Sequence, residues 1–164
     1  MTPLAQRFAL LLLPLAACAS GPATPDAPLA PEVPLTGSYT SEHQVGIFDG
    51  DDFVPTEVTD TLVLRERGDS LAVTFSLIGA NAHTCGFGGL LGREGDRWVA
   101  RETLDYLPNA PTCALSVGIA RDSIVLRDSA YICRRAYCGA RASIDEAVFA
   151  RSTWSPDTSA YETF

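Results

Sequence analysis

The chain has 164 residues, and its 12 positive side chains, all of them arginine, face 20 acidic ones, for a formal net charge of −8. Because a chain this acidic is repelled by a phosphate backbone, the composition argues against a nucleic-acid partner. The length allows one small domain with a single core once the terminal segments are set aside.

The chain starts with the features of an export signal. Arg7 precedes an apolar run of ten residues, 8–17, which is shorter than the roughly 20 residues that span a bilayer and has signal-peptide proportions. Leu15-Ala16-Ala17-Cys18 resembles the lipobox of bacterial lipoproteins. In that family the cysteine thiol is diacylated, with chains such as palmitate, and the segment before it is removed. The resemblance implies a signal peptide at 1–17 and lipidation at Cys18. Ordinary cleavage near Ala17 or Ser20, which gives a soluble secreted protein, is the alternative.

Residues 18–36 are interpreted as the lipidated cysteine and a tether. Proline occupies every third position, the period of polyproline II, so this segment could reach on the order of 55 Å as a semi-rigid spacer. The prolines are Pro22, Pro25, Pro28, Pro31 and Pro34. The predicted location is the bacterial cell envelope, with the membrane as a partner through the lipid anchor. Ala19, where an Asp would resemble an inner-membrane retention signal, favours the outer membrane, with the domain facing the periplasm or the cell surface.

Residues 37–150 show the two-residue alternation of β-strands. In the stretch 71–78, Leu71, Val73, Phe75 and Leu77 fall on one face, and 113–119 has the same pattern. Residues 151–164 are interpreted as a polar extension in which Trp154 covers one end of the domain. The predicted strands lie near 37–45, 58–67, 70–78, 84–92, 97–104, 113–120, 123–129 and 143–150.

Three turns repeat at a nearly constant interval. Asp69, Asp96 and Asp122 each precede an apolar run, at spacings of 27 and 26 residues. This interval fits one strand out and one strand back, so the three turns are predicted at one end of an antiparallel up-and-down meander. The fold class is therefore all-β, as a small closed or partly open barrel.

Four cysteines follow the proposed lipidation site, and strand lengths of about 3.3 Å per residue place them at the end opposite the three turns. In an exported chain they are expected to form disulfides. We favour Cys133–Cys138 with Cys85–Cys113, and the alternative is Cys113–Cys133 with Cys85–Cys138. A zinc site that combines His83 with three of these cysteines is disfavoured, because the spacing lacks a second close pair. No metal or cofactor is predicted.

The segment around Tyr137 is the candidate binding loop, because a loop stiffened by disulfides loses less entropy on binding and arginine binds carboxylates in a bidentate manner. The alternative is that its arginines pair with the protein's own acidic surface. The loop residues are Arg134, Arg135, Tyr137, Gly139 and Arg141. An enzyme is not predicted, since neither His43 nor His83 has a recognisable nucleophile beside it, and the glycine-rich stretch 86–89 lacks the Lys-Ser/Thr of a phosphate-binding loop.

Gly37-Ser38-Tyr39 is similar to the Gly-x-Trp start of lipocalin-like proteins, with Tyr in place of Trp. That resemblance implies an up-and-down barrel that often binds a small apolar ligand. The predicted function is a lipid-anchored envelope protein whose small non-catalytic β domain binds another macromolecule or supports the envelope. One alternative is a lipocalin-like carrier of a small apolar ligand. The other is an inhibitor of a basic hydrolase such as lysozyme, by similarity in size, charge and location to small disulfide-linked lipoproteins that inhibit that enzyme.

Overall fold

The computed structural model describes residues 33–50 and 52–159 and shows one antiparallel sheet in which eight strands follow chain order. One short α-helix, α1 (Arg134–Tyr137), lies in the connection before the last strand, and single 3-10 turns lie at Ala80–Ala82 and Arg151–Thr153. The predicted signal peptide, Cys18 and most of the tether lie outside the described residues. The strands are β1 (Gly37–Asp49), β2 (Asp52–Arg67), β3 (Ser70–Ile78), β4 (Thr84–Glu94), β5 (Arg97–Thr103), β6 (Thr112–Ile119), β7 (Ser123–Arg127) and β8 (Val148–Ala150).

The predicted all-β meander is confirmed, and it curves into a nearly closed barrel. The largest differences lie in the first and last predicted strands and in the start of the second. β1 and β2 continue to a tight turn at Gly50, which has a φ of 65°. β8 has only three residues, because Asp145 and Glu146, which were predicted to lie in it, belong to the preceding connection instead. There the side chain of Asp145 accepts the N–H of Asp128 at 2.9 Å.

One seam, between β1 and β8, completes the barrel. Residues after β8 close it, since Ser38 and Ser155 exchange two backbone hydrogen bonds of 2.9 Å each. The indole N–H of Trp154 donates to the carbonyl of Thr36 at 3.0 Å. A Cβ on Gly37, whose φ is 155°, would lie 2.2 Å from that indole nitrogen. Glycine at the start of β1 is therefore what lets the indole of Trp154 pack against the start of this strand.

The barrel interior is filled by side chains. Phe75 is 1% exposed and stacks on Phe87 with ring centroids 5.7 Å apart. Eight-stranded barrels have an interior just wide enough for side chains or one small ligand, and here side chains occupy it. The largest fully buried ones are Tyr39, Phe75, Phe149, Leu62, Leu64, Leu71, Leu91, Leu104, Leu115, Ile124, Leu126 and Ile144.

The two ends of the barrel have different connections. We call the end with the connections 68–69, 95–96 and 120–122 the turn end, and the predicted clustering of these turns is confirmed. Gly68 and Gly95 supply the positive φ values, 59° and 62°, that two of these turns require. We call the other end, with the connections 50–51, 79–83, 104–111 and 128–147, the disulfide end. All four cysteines lie at or beside this second group of connections.

Candidate functional site

Two disulfides join the connections and strand starts at the disulfide end, but not in the pairing we favoured. The bonds are Cys85–Cys138 and Cys113–Cys133, so the favoured Cys133–Cys138 and Cys85–Cys113 pairing is wrong and the alternative is formed. Cys133 and Cys138 flank the single turn of α1. Residues five apart on a helix point about 140° away from each other, so each thiol faces a different strand.

Because every one of these sulfurs is in a disulfide, the zinc arrangement considered for His83 and the cysteines is not formed.

The long connection before β8 crosses the starts of both β4 and β6. Cys85 and Cys138 also form a backbone bridge. The covalent bonds therefore attach this connection to two strands that are not neighbours in the sheet.

The helix α1 covers a gap between β4 and β5, which pair through only three residue pairs. The ring of Tyr137 meets Phe87 edge-on with centroids 5.1 Å apart, and its hydroxyl donates to the carboxylate of Glu102 on β5. Burial, followed by this hydrogen bond, raises the pKa of Tyr137, so the phenol stays a neutral donor. Tyr137 thus joins the two strands across the gap.

Two other residues of the candidate binding loop also have internal contacts. The guanidinium of Arg134 donates to the carbonyl of Ala140. Gly139 donates its N–H to the carbonyl of Thr84 at 2.8 Å, and a Cβ on it would lie 2.7 Å from Nδ1 of His83. These contacts hold the shape of the loop rather than present side chains to a partner.

Arg135 and Arg141 are the members of that loop that project into solvent. Within residues 33–50 and 52–159, neither has an acidic side chain within ion-pair distance. The loop packs closely on its neighbour, since a Cβ on Gly79 would lie 2.4 Å from the carbonyl oxygen of Arg141. Two arginines are therefore presented on a loop whose backbone is fixed.

Asp128, which the sequence analysis did not single out, organises this loop. It is 1% exposed, and its two carboxylate oxygens accept the N–H groups of Cys133 at 3.1 Å and Arg134 at 2.7 Å. Asp128 lies five residues before Cys133, the N-cap of α1, so it is too far along the chain to match the sequence pattern of a capping residue.

We expect Asp128→Ala to lower the free energy of unfolding by about 1–3 kcal/mol, because two N–H groups lose a buried acceptor. Ser129→Ala, at an exposed neighbour, is the control and should change it by less than about 0.5 kcal/mol. Urea unfolding of both variants measures the difference. Equal stability of the two variants would show that the carboxylate does not hold the loop.

The exposed aromatic side chains are the other feature that sequence reasoning missed. Phe48, Phe53, Tyr106 and Tyr131 are 56%, 61%, 66% and 54% exposed, and all four lie at the disulfide end. Aromatic residues and arginine are enriched at protein interfaces relative to the rest of the surface. Together with Arg135 and Arg141, these residues form what we call the disulfide-end surface.

Backbone strain is concentrated at the same end. Six non-glycine residues of the described chain have positive φ values, and all lie in connections of the disulfide end. Such conformations persist only where the surrounding structure imposes them, and they are common at binding sites. They are Asn81, Ala82, Asn109, Ala110, Tyr131 and Glu146, with φ between 39° and 66°.

A polar pair, formed by the buried Asp60 and the partly exposed His43, lies at the base of the first hairpin. Asp60 accepts the N–H of Ile78 at 2.7 Å, and Nδ1 of His43 lies 3.8 Å from its other oxygen. Nε2 of His43 lies 3.1 Å from the carbonyl oxygen of Ile78. Because a carbonyl only accepts, this nitrogen carries a hydrogen. Burial raises the pKa of Asp60, and the Ile78 N–H and His43 oppose the rise.

We expect this pair to make stability depend on pH. Since the folded-state pKa of Asp60 lies above its ordinary value of 3.8, the native state holds the proton more tightly than the unfolded state. The contribution of Asp60 to the free energy of unfolding is therefore fully present below the ordinary value of 3.8. It falls as the pH rises through the folded-state pKa. Asp60→Asn keeps an oxygen for Ile78 and cannot titrate.

Urea unfolding of wild type and Asp60→Asn between about pH 3 and about pH 7 tests this. The stability of the wild type minus that of the variant should decrease as the pH rises through this window. A difference that is constant with pH, or one that increases, would contradict the assignment.

The chain enters the barrel at the turn end. Gly37, at the start of β1, lies opposite Leu64 on β2, close to the turn at Gly68. Pro34 and Leu35 lie just before β1, and the hydroxyl of Tyr39 lies 2.9 Å from the carbonyl oxygens of both. The entry segment is therefore hydrogen-bonded to the barrel, on the side away from the disulfide-end surface.

Arg151, just after β8, also holds the entry segment. Its guanidinium donates to the carbonyl of Val33, and its backbone N–H donates to the carbonyl of Asp122 at 2.9 Å. Burial raises the pKa of Tyr39, and the neighbouring charge of Arg151 opposes the rise.

The described residues contain no helix that is long and apolar enough to cross a membrane.

Comparisons of the chain with protein-family models, with curated proteins and with solved structures give no match. The case for the disulfide-end surface therefore rests on its own geometry.

Proposed function

We propose that this chain is a lipid-anchored bacterial cell-envelope protein whose β domain is a non-catalytic module that binds another macromolecule through the disulfide-end surface. One observation supports this more than any other. The chain that leads back to Cys18 joins the barrel at the turn end, whereas the exposed aromatic residues and the exposed Arg135 and Arg141 lie at the other end.

In this proposal the acyl chains on Cys18 attach the domain to the membrane. Each buried CH2 of an acyl chain contributes about 0.8 kcal/mol, and more than one chain is needed for stable anchoring. A Cys18 whose thiol is diacylated meets that requirement. The described chain enters the barrel at the turn end, so the disulfide-end surface lies at the end of the barrel opposite the attachment of the tether.

The disulfide-end surface suits binding because it is already ordered. Two disulfides and the buried Asp128 fix the candidate binding loop. A surface that is ordered before binding loses less conformational entropy. Tyrosine and arginine are also the residue types that most often dominate binding energy in interfaces.

The filled interior favours a surface binder over a carrier of a small apolar ligand. Phe75, Phe87 and Phe149 occupy the barrel where such a ligand would lie. A non-catalytic role is supported by the histidines, since His43 contacts Ile78 and Asp60 and His83 lies against Gly139.

An affinity pull-down of the oxidised mature chain from its own envelope fraction tests the proposal. Wild type should retain a partner that Arg135→Gln/Arg141→Gln does not. The matched control is Arg97→Gln/Arg121→Gln, which removes the same charge from exposed positions at the turn end and should retain the partner. Equal retention by the two double variants, or no retained partner with wild type, would contradict the proposal.

A further inference from the structure

The first hairpin extends beyond the rest of the sheet. β1 pairs with β2 along its full length, from Gly37 with Leu64 to Asp49 with Asp52. β3 pairs with β2 only from Thr61 onward. Residues 44–50 and 52–57, which lie beyond the part of β2 that pairs with β3, therefore form a two-stranded projection, which we call the hairpin tip.

Two exposed aromatic rings lie on the hairpin tip. Phe48 and Phe53 are directly opposite each other on β1 and β2, and their rings meet edge-on with centroids 5.7 Å apart. They are 56% and 61% exposed, so more than half of each side chain is left to water. Burying this exposed apolar surface in a partner removes it from water, which favours association.

The hairpin tip is held in place by contacts with the β3–β4 connection and within itself. The N–H of Phe48 donates to the side chain of Asn81 at 2.9 Å. A Cβ on Gly46 would lie 1.8 Å from Cε2 of Phe53, so glycine at this position lets the ring lie flat on β1. The two rings are thus presented in a fixed arrangement, which lowers the entropic cost of inserting them into a partner.

Strand addition to the hairpin is disfavoured by Pro55. The N–H of Phe48 points away from β2, toward Asn81, so Phe48 and Phe53 form a non-hydrogen-bonded pair. Gly46 and Pro55, two residues along, form another pair of that kind, which directs the nitrogen of Pro55 to the free edge of β2. Proline has no N–H to donate and protects such edges. Recognition therefore depends on side chains.

The charge of the hairpin indicates the kind of partner. Residues 38–59 contain no arginine or lysine and five acidic residues: Glu42, Asp49, Asp51, Asp52 and Glu57. We propose that Phe48 and Phe53 insert into an apolar cleft of a cationic protein, whose basic rim faces the acidic residues of the hairpin. This inference rests on the proposed function and names the partner class and the contact residues.

The same charge disfavours the other occupants of an apolar tip. A bilayer surface with anionic lipids repels an acidic hairpin. A second copy of the chain has the same charge, since the chain after residue 17 has 11 arginines and 20 acidic residues, a net charge of −9, and like charges oppose association. A cationic protein is attracted by the hairpin and offers the apolar surface that the rings need.

Site-specific photo-crosslinking tests the proposal in the full-length chain in its own cells. Benzoylphenylalanine replaces Phe53 in one variant and Leu90 in the control, an exposed apolar residue on β4. A third variant has it at Tyr131, elsewhere on the disulfide-end surface. Mass spectrometry identifies each adduct. We expect position 53, but not position 90, to crosslink to a protein of net positive charge.

Charge neutralisation supplies the second readout. Asp52→Asn/Glu57→Gln changes two exposed side chains, and it should lower the yield of the position-53 adduct by about fivefold or more, because complementary charge accelerates association. The double variant keeps an oxygen in place of Glu57 that can accept from Gln44, as the carboxylate does at 2.7 Å. The hairpin is therefore expected to stay folded.

Each other outcome overturns the inference. Adducts of position 53 with lipid, with a second copy or with an acidic protein would assign another occupant to the tip. An unchanged yield after charge neutralisation would remove the electrostatic argument. An adduct at 131 without one at 53 would reject the hairpin tip and leave the proposed function standing, whereas no adduct at either position would reject both.

Discussion

Replacing Cys85 and Cys138 together with serine should lower the free energy of unfolding by about 4 kcal/mol. This disulfide joins residues 53 positions apart, and on the chain-entropy model a loop of that length restricts the unfolded chain by about this amount. The bond also attaches the β7–β8 connection to the start of β4, so its loss releases Tyr137 from the gap between β4 and β5. Guanidinium unfolding of the oxidised mature chain, followed by tryptophan fluorescence, measures the change.

The matched control is the second disulfide. Cys113 and Cys133 are only 20 positions apart, so the corresponding double serine variant should lose about 3 kcal/mol on the same model. The ranking matters more than either value. A larger loss from the Cys113–Cys133 pair, or a loss below about 1 kcal/mol from both, would contradict the role assigned to these bonds.

Phe75→Ala should lower the free energy of unfolding by about 3–5 kcal/mol, because truncation of a fully packed Phe leaves a cavity that neighbouring side chains fill only partly. Phe75 is 1% exposed in the middle of the barrel. Phe53→Ala removes the same side chain from a 61% exposed position and should cost less than about 0.5 kcal/mol. Urea unfolding of both variants gives the comparison.

This pair of variants separates a filled barrel from a ligand carrier. If the interior were a site for a small apolar ligand, Phe75→Ala would cost little and would enlarge an existing cavity. The packed interior would be contradicted if Phe75→Ala lowered the free energy of unfolding by less than about 1 kcal/mol, or if Phe53→Ala lowered it by more than Phe75→Ala does.

The strands were predictable because local chemistry specifies them. Alternation in 71–78 and 113–119 identified β3 and β6, and the Gly-Asp pairs before Ser70 and Arg97 identified two of the tight turns. Counting residues from those turns placed all the cysteines at one end, because strand rise is nearly constant. These inferences need only neighbours in sequence or regular geometry.

The disulfide pairing was not predictable in the same way. It depends on the path of the connection 128–147, and that path is set by Asp128, a buried carboxylate whose partners are two backbone N–H groups. Spacing alone made Cys133 and Cys138 look like a local pair. The helical turn between them directs the two thiols to different strands.

The disulfide-end surface could be anticipated only in part. The sequence analysis singled out the loop around Arg135 and Arg141, which do project, but also Arg134, Tyr137 and Gly139, which have internal contacts. Whether an arginine or tyrosine in a loop faces solvent depends on tertiary packing, which no local pattern encodes. For the same reason Phe48 and Phe53, which lie between the first two predicted strands, could not be identified as exposed residues of a long hairpin until the lengths of β1 and β2 were known.

Mass spectrometry of the chain purified from its native envelope can establish whether this protein is a lipid-anchored module in an oxidising compartment. We expect an N-terminal peptide that begins at acylated Cys18, with disulfide-linked peptides that join Cys85 to Cys138 and Cys113 to Cys133. A chain with Met1 intact, no fatty acid and free thiols at those cysteines would contradict this expectation.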